Sequence, residues 1–230
     1  MTDKRLCDLK SCFLCSCCLH EWLPAVAANK RNLEVKKGRT LFDEGSPVTG
    51  IYFIYSGVLK VHKRWDQEKD LILRFAKAGD IIGQLGLGND PVYPVSATAI
   101  ETAIVCYVDM EFFNATLTTN TGFTRNFVTL LASQLQESEK RMRNLAHMPV
   151  KGRVAQALIS LQQQFGKTGD GFIGVEISRQ DLASFTGAVY ESLFRALNDL
   201  IKAQLIIVAG KGISIINESA LQQVADDINS

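Results

Sequence analysis

Apolar and polar residues alternate along residues 31–110, and the period changes to a helical one from about residue 121. The first region is a series of short alternating runs, interrupted by turn-forming pairs such as Lys37-Gly38. Runs interrupted at intervals of about eight to twelve residues are typical of an antiparallel roll or barrel. The segment "EWLPAVAANK" before them predicts a short helix. The pattern therefore predicts a β-domain with a helical N-terminal flank.

The next segment predicts one long helix. From Thr121 to Ala146 there is no proline, and apolar or small residues recur in steps of four and three. This heptad spacing is typical of a helix that pairs with another helix. Packing against its own domain is the alternative, but the helix joins two differently patterned regions, which favours a dimer interface. The predicted interface residues are Phe127, Leu131, Leu135, Ser138, Met142 and Leu145.

The last third of the chain predicts a helix-turn-helix motif. After Pro149, the segment "KGRVAQALISLQQQFG" predicts a helix. Ser178 has the features of an N-cap for a short helix, which Gly187 ends before a second helix follows. A short helix, a glycine-containing turn and a second helix form the helix-turn-helix pattern. The segment "LIIVAGKGISII" then predicts a two-stranded hairpin, the wing.

The second helix of this motif carries polar and aromatic residues opposite its apolar face. In DNA complexes such a helix lies in the major groove, with its N-terminal residues at the base edges. Arg195 suits a bidentate contact with guanine, and Glu191 can accept from cytosine N4. A helical hairpin whose polar face is only solvated is the alternative. The predicted DNA-binding residues are Tyr190, Glu191, Phe194 and Arg195 for bases, and Arg179, Lys202 and Lys211 for phosphates.

Four stretches carry a family resemblance: "IYFIYSGVLKVHK", "AGDIIGQLGL", "SEKRMRNLAHMPVKGRVAQALISL" and "ISRQDLASFTGAVYESLFRALNDLIKAQLI". In this order they resemble the cyclic-AMP receptor protein / fumarate-nitrate regulator (CRP/FNR) family of bacterial transcription factors. The resemblance implies an α+β fold with a double-stranded β-helix (jelly-roll, cyclic-nucleotide-binding-like) domain, a long dimerisation helix and a winged helix-turn-helix. It also implies a homodimer that binds a palindromic promoter site and contacts RNA polymerase. The implied domains are a cysteine-rich segment at 1–20, a β-roll effector domain at 21–118, the dimerisation helix at 119–147 and the DNA-binding domain at 148–230.

Two motifs depart from the pattern of that family. The family often reads DNA with an Arg-Glu pair and an Arg four residues later, whereas here Tyr190 stands in place of the first Arg. Its cyclic-AMP binders use a Gly-Glu pair and an Arg-Ser pair, and here Gln84 and Val95 replace the Glu and the Arg. Without that guanidinium the cyclic phosphate loses its main charge partner, so cyclic AMP is not the expected ligand. The candidate effector residues are Gly83, Gln84, Leu85, Val95, Ser96 and Ser138.

Five of the six cysteines lie in the stretch "CDLKSCFLCSCCLH", and Cys106 lies near the end of the β-region. The oxygen-sensing branch of the resembled family holds an iron–sulfur cluster with three N-terminal cysteines and one cysteine in this strand context. Cys12 and Cys15 match the spacing of its first pair, but the expected third position falls on Glu21. Four thiolates suit a [4Fe–4S] cluster or tetrahedral zinc. The candidate ligands are Cys7, Cys12, Cys15, Cys17, Cys18 and Cys106.

Two other interpretations of the thiols stay open. They can sense redox conditions directly, without a metal, or they can belong to a mobile segment whose cysteines cover apolar surface. For Cys106 alone, a small buried strand residue is the simpler interpretation. A related alternative is a DNA-binding dimer that has no effector and uses its β-domain only as a scaffold.

Composition narrows the function classes. The chain has 230 residues, 47% of them hydrophobic, and a net charge of +1, so DNA binding must rely on a local basic patch. It has neither a run of about eighteen apolar residues nor a signal-peptide pattern, which favours the cytoplasm, where thiols stay reduced, and no membrane. Its three histidines, His20, His62 and His147, lie in different regions, and no hydrolase, Walker or metalloprotease motif occurs. An enzyme is therefore not expected.

Overall fold

Two four-stranded antiparallel sheets, formed by the alternating region, face each other in the computed structural model, which describes residues 7–64 and 70–227. The strand order is β1-β8-β3-β6 in the first sheet and β2-β7-β4-β5 in the second. The strands are β1 (Arg31–Val35), β2 (Thr40–Phe42), β3 (Gly50–Ser56), β4 (Leu59–Arg64), β5 (Asp70–Ala76), β6 (Ile81–Ile82), β7 (Ser96–Ala99) and β8 (Ala103–Asp109).

The first sheet is buried on both faces, which explains why β3 is an almost continuous apolar run. Tyr52 and Ile54 point into the core between the sheets, which the second sheet closes. Ile51 and Phe53 point the other way, into a second core that helices cover. Successive side chains of a strand face opposite sides, so a strand between two cores must be apolar throughout.

Helices cover the outer face of the first sheet. Short helices flank the N-terminus, and a longer one follows β8, capped by Asp109, whose Oδ1 accepts from the backbone N–H of Phe112 at 2.8 Å. Phe112 stacks on Trp22, with ring centroids 5.8 Å apart. These helices are α1 (Phe13–Cys17), α2 (Leu23–Asn29), α3 (Met110–Thr119) and the beginning of α4 (Thr121–His147).

The long helix α4 crosses the boundary between two compact units, Met1–Leu135 and Gln136–Ser230. Its N-terminal part corrects one prediction. Phe127 was expected in a dimer interface, but it is only 4% exposed and packs edge-on against Phe113 at 5.5 Å in the core of its own unit. The exposed apolar residues of α4 are Val128, Leu135 and Met142, which follow each other at intervals of seven. We call these three residues the exposed heptad stripe.

The C-terminal unit contains the predicted helix-turn-helix and hairpin. Helix α5 packs against α7 and against the last helix, α8. The hairpin pairs Gly212 with Ala209 and Ile215 with Ile206. The elements are α5 (Val150–Phe165), α6 (Arg179–Thr186), α7 (Tyr190–Lys202), β9 (Ile206–Ala209), β10 (Gly212–Ile215) and α8 (Glu218–Asp226).

Across the described ranges, none of the helices combines the length and the apolar character that a bilayer crossing requires.

Candidate functional site

A tight turn begins the described part of the cysteine segment. Asp8 Oδ1 accepts from the backbone N–H groups of Lys10 and Ser11, both at 2.9 Å. Leu9, between them, has a left-handed backbone with φ of 56°. An aspartate that accepts from the backbone two and three residues on reverses the chain direction. This turn brings Cys7 back toward Cys12, the N-cap residue of α1.

Four sulfur atoms meet at this turn. The Sγ atoms of Cys7, Cys12 and Cys15 all lie within 4.8 Å of one another. Cys12 also makes a side-chain hydrogen bond with Cys106, and it is the member that contacts the other three. Cys12 and Cys106 are fully buried and Cys15 is 5% exposed. We call these four residues the thiol cluster.

Cys12 is the most acidic thiol of the cluster. Hydrogen bonds from Cys106, Cys15 and Cys7 lower its pKa far below the usual range, because each stabilises a thiolate at Cys12. The pKa values of Cys15 and Cys106 are raised, first by the hydrogen bond with Cys12. Metals bind the thiolate form of cysteine. A cluster in which one cysteine is already a thiolate and three other thiols contact it is therefore suited to metal binding.

The segment around the cluster is packed against the rest of its unit. Leu14 is fully buried, and Phe13 meets Phe123 edge-on at 5.6 Å. The backbone N–H of Leu19 donates to Asn120 Oδ1 at 2.9 Å. The described residues 7–20 are therefore packed against their own unit, and Cys12 and Cys15 cover apolar surface there.

Cys17 and Cys18, two of the predicted ligands, lie apart from this arrangement. Within 7–64 and 70–227, the group of mutually close ligand atoms consists of Cys7, Cys12 and Cys15, and Cys106 joins it through its hydrogen bond with Cys12. Burial, followed by the proximity of Cys17 and Cys12, raises the pKa of Cys18 to about 12. The turn at Asp8, rather than the second half of the cysteine run, completes the set.

The thiol cluster fits a metal held by four thiolates. All four donors are sulfur, and three of them are shielded from water, as in structural zinc sites and iron–sulfur proteins. Zinc–sulfur bonds of about 2.3 Å in a tetrahedron separate the sulfurs by about 3.8 Å. The sulfurs of Cys7, Cys12 and Cys15, all within 4.8 Å of one another, are spaced for a single zinc ion. Cys106 contacts Cys12 but its sulfur is not within 4.8 Å of all three, so it would have to approach them to complete a tetrahedron.

The candidate effector residues are held by partners inside the chain. Gln84 is 4% exposed, and its Nε2 donates to Gln134 Oε1 at 2.9 Å. Ser96 Oγ accepts from the backbone N–H of Glu44 at 2.9 Å. The side chain of Val95 lies in the apolar core between the sheets. The remaining candidates are Gly83, the left-handed residue before a 3₁₀ turn, Leu85, which is half exposed, and Ser138, on the exposed surface of α4.

Helix α7 divides into a buried face and an exposed face. Leu193, Ala196, Leu197 and Leu200 are buried, as their spacing predicts. Tyr190 and Phe194 are 50% and 56% exposed, and Glu191 and Arg195 are exposed beside them. The turn before α7 relies on Gly187, whose φ of 62° is left-handed and therefore favours glycine.

The hairpin that follows α7 contacts one of the residues predicted to bind phosphate. Lys211 is exposed at the turn, and Lys202 is exposed at the end of α7. Arg179 was expected to contact phosphate. Its Nη2 donates to the carbonyl of Gly210 at 2.9 Å and its Nη1 to that of Lys211 at 3.3 Å. In this structure Arg179 fixes the hairpin to the start of α6.

Two arginines that the sequence analysis did not single out hold the end of α6. Arg141, on α4, stacks on the ring of Phe185 at 4.5 Å and donates to the Phe185 carbonyl. Arg153, on α5, donates to the carbonyls of Leu145 at 3.1 Å and Gly187 at 3.4 Å. Cations are favourable at the C-terminal carbonyls of a helix. Nothing in their sequence spacing distinguishes them from solvated arginines.

Comparison with known proteins identifies both units. Residues 32–120 match the model of the cyclic nucleotide-binding domain, and residues 152–224 match that of the Crp-like helix-turn-helix domain. The chain is 32% identical over 203 residues to the "Anaerobic regulatory protein" of Bacillus subtilis (strain 168), covering 87% of this chain and 84% of the relative. The chain belongs to the CRP/FNR family. It is 26% identical over 200 residues to the "Fumarate and nitrate reduction regulatory protein" of Escherichia coli (strain K12), covering 85% and 79% of the two chains.

Solved CRP/FNR structures share the fold. FixK2 from Bradyrhizobium japonicum matches with a TM-score of 0.75 at 21% identity, covering 85% of this chain and 96% of FixK2. A CooA mutant from Carboxydothermus hydrogenoformans matches with a TM-score of 0.77 at 18% identity, covering 98% of this chain and all of the other. The predicted α+β fold, with its β-roll, long helix and helix-turn-helix, is thereby confirmed. The chain is a DNA-binding transcription regulator of the CRP/FNR type and not an enzyme.

Proposed function

We propose that this CRP/FNR protein is a homodimer whose affinity for a palindromic promoter site depends on a metal centre at the thiol cluster. The observation that carries this proposal is the convergence of Cys7, Cys12 and Cys15 within 4.8 Å, with a hydrogen bond between Cys106 and Cys12. The protein would act in the cytoplasm, where the promoter DNA lies, and would contact RNA polymerase, as regulators of its family do.

Dimerisation would use the exposed heptad stripe of Val128, Leu135 and Met142. Large apolar side chains that recur at intervals of seven on a 27-residue helix favour pairing with a second copy of that helix. A two-fold axis then presents one α7 to each half of a palindrome. In each half-site, Arg195 would contact guanine and Glu191 the paired cytosine.

The thiol cluster would provide the regulatory input. A [4Fe–4S] cluster bound by the four cysteines would supply sensitivity to oxygen, because such clusters exchange electrons and depend on their thiolate ligands. Zinc is the second candidate, and the separations of at most 4.8 Å between the sulfurs of Cys7, Cys12 and Cys15 favour it. The relatives' names, "Anaerobic regulatory protein" and "Fumarate and nitrate reduction regulatory protein", favour the iron–sulfur cluster.

Anaerobic purification tests the metal centre. We expect one metal centre per chain, visible as brown absorption with iron and sulfide in the iron–sulfur case, or as stoichiometric zinc in a colourless protein. A colourless and metal-free protein, purified from cells supplied with iron and zinc and kept away from oxygen, would overturn the metal centre.

Selection from random duplex DNA tests the recognition helix. The wild-type protein should enrich a site with two inverted halves that each contain a G·C pair, and Arg195→Ala should lose that preference while Arg125→Ala keeps it. Arg125 is a suitable control because it is an exposed arginine of α4, outside the DNA-binding unit. An unchanged preference in Arg195→Ala would show that another residue reads the pair.

A further inference from the structure

Lys30 is a half-buried residue with an enclosed Nζ, on the same side of the sheet as the thiol cluster. It ends α2 and directly precedes β1, which pairs antiparallel with β8 so that Asn32 lies opposite Cys106. Lys30 lies two residues before Asn32, and residues two apart in a strand share a face. The chain therefore directs Lys30 toward the face that carries Cys106.

The ammonium group of Lys30 is enclosed by the protein. Its Nζ is removed from solvent, and within residues 7–64 and 70–227 it has no hydrogen-bond partner. An ammonium group taken out of water without a partner is disfavoured, because nothing replaces the hydration it loses. Such a group calls for a negative partner nearby.

The cluster is where that negative charge would arise. The pKa of Cys106 is raised by the hydrogen bond with Cys12 and by burial, and the charge of Lys30 opposes this rise. The side chain of Lys30 is therefore close enough to Cys106 for its charge to favour a thiolate there. Four thiolates around Zn²⁺, or around a [4Fe–4S] core of the same charge, carry a net charge of about −2.

We propose that Lys30 is the built-in counter-ion of the thiol cluster and stabilises its metal-loaded, negatively charged form. This inference rests on the proposed metal centre. It assigns Lys30 a positioning role rather than a ligand role, because an ammonium has no lone pair to offer a metal. The charge makes metal binding at the cluster tighter, because loading brings the charge that faces Lys30 to about −2. In the metal-free protein the single thiolate at Cys12 compensates the enclosed ammonium only in part, and the uncompensated remainder is a local source of instability.

The opposite signs of these two effects provide a sharp test. Lys30→Met removes the charge and keeps the length of the side chain, and Lys30→Arg keeps the charge. Lys36→Met removes an exposed lysine just after β1 and serves as the matched control. The metal-free, reduced full-length proteins are titrated anaerobically with Co²⁺, whose thiolate absorption bands report binding at sulfur.

We expect Lys30→Met to bind Co²⁺ about tenfold more weakly than wild type, as one charge at short range inside a protein implies. Lys30→Arg and Lys36→Met should stay within about twofold of wild type. Thermal unfolding of the metal-free proteins should show Lys30→Met at least as stable as wild type, which a purely structural role of Lys30 would not produce.

The remaining outcomes distinguish failure of the metal centre from failure of the counter-ion role of Lys30. If wild type shows no thiolate absorption with Co²⁺, the metal centre itself is wrong, and the inference about Lys30 fails with it. If wild type binds Co²⁺ and Lys30→Met binds equally well, the metal centre stands and the counter-ion is refuted. Weak binding by Lys30→Arg as well would assign the loss to packing rather than charge and would also refute it.

Discussion

Cys12 owes its chemistry to its position rather than to its residue type. Six cysteines share the chain, but only this one is the N-cap of α1, fully buried and in contact with three other thiols. Cys17, five residues further along, ends the same helix and is half buried. Substitution of Cys12 and of Cys17 therefore compares a proposed metal ligand with a cysteine outside the thiol cluster.

We predict that Cys12→Ser abolishes metal binding and Cys17→Ser does not. Serine keeps the size of the side chain but replaces the soft thiolate by a weakly acidic hydroxyl, which zinc and iron–sulfur clusters bind poorly. Metal per chain, measured by elemental analysis after anaerobic purification, should fall to near zero in the first variant and stay at the wild-type value in the second. Equal losses in both variants would contradict the four-residue cluster.

Phe194 gives the recognition helix an apolar component that is unusual on an exposed face. It is 56% exposed, and Tyr190, one turn earlier, is 50% exposed. In the major groove the apolar feature of the base edges is the thymine methyl group. With Arg195 and Glu191, the helix has hydrogen-bonding groups that suit a G·C pair, and Phe194 adds an apolar surface that suits a neighbouring thymine methyl group.

We predict that replacing thymine by uracil in the selected site weakens binding by about 1 kcal/mol, or about fivefold, for each methyl group that Phe194 covers. The uracil duplex has the same hydrogen-bonding groups and lacks only the methyl. Phe194→Ala should bind the two duplexes equally, whereas Lys202→Ala, a phosphate-contact variant, should still prefer thymine. Fluorescence anisotropy at fixed salt measures both, and an unchanged preference in Phe194→Ala would contradict the contact.

At the scale of elements, α4 carries two different apolar faces. Phe123 and Phe127 stack at 6.2 Å within the β-domain core. Leu135 and Met142 remain 61% and 67% exposed. The heptad pattern of the sequence predicts the helix correctly but not which residues its own domain already covers, because burial depends on contacts distant in the chain. Val128 rather than Phe127 therefore continues the exposed heptad stripe toward the N-terminus.

We predict that Leu135→Glu dissociates the dimer. Pairing would bring two carboxylates together in an apolar interface, which we expect to weaken association by about 3 kcal/mol or more, roughly a hundredfold. Ser133→Glu introduces the same charge at an exposed position on nearly the opposite side of α4 and should leave the dimer intact. Sedimentation at a series of concentrations distinguishes the two. A dimeric Leu135→Glu protein would assign the interface to another surface.

For the whole chain, the sequence pattern predicts the order and type of the domains but only some of the contacts that form the candidate sites. The alternation of residues 31–110, the heptad and the glycine-broken helix pair predict the β-roll, long helix and winged helix-turn-helix. The Asp8 turn and the buried Nζ of Lys30 have no sequence pattern, since both depend on the folded chain around them. The hydrogen bonds of Arg179 to the hairpin turn likewise have no sequence pattern.

The proposed function also requires thermodynamic coupling between metal binding in the first unit and DNA binding in the second. If metal binding at the thiol cluster changes affinity for the promoter site by some factor, then promoter DNA must change metal affinity by the same factor. We expect that factor to lie between about five and a hundred, the usual range of such coupling. Co²⁺ titrations of the full-length protein, with the selected duplex and with a scrambled duplex of equal length, measure it without any assay of transcription.

The scrambled duplex accounts for Co²⁺ bound by DNA phosphates, and Arg195→Ala provides a second control. Its Co²⁺ affinity should not respond to the selected duplex, because it no longer recognises the site, whereas its thiol cluster is unchanged. Equal Co²⁺ affinities of the wild type with both duplexes would mean zero coupling. In that case the metal centre would be structural and the β-domain a scaffold, and regulation would have to come from the concentration of the dimer itself, because a ligand that binds two states equally shifts neither.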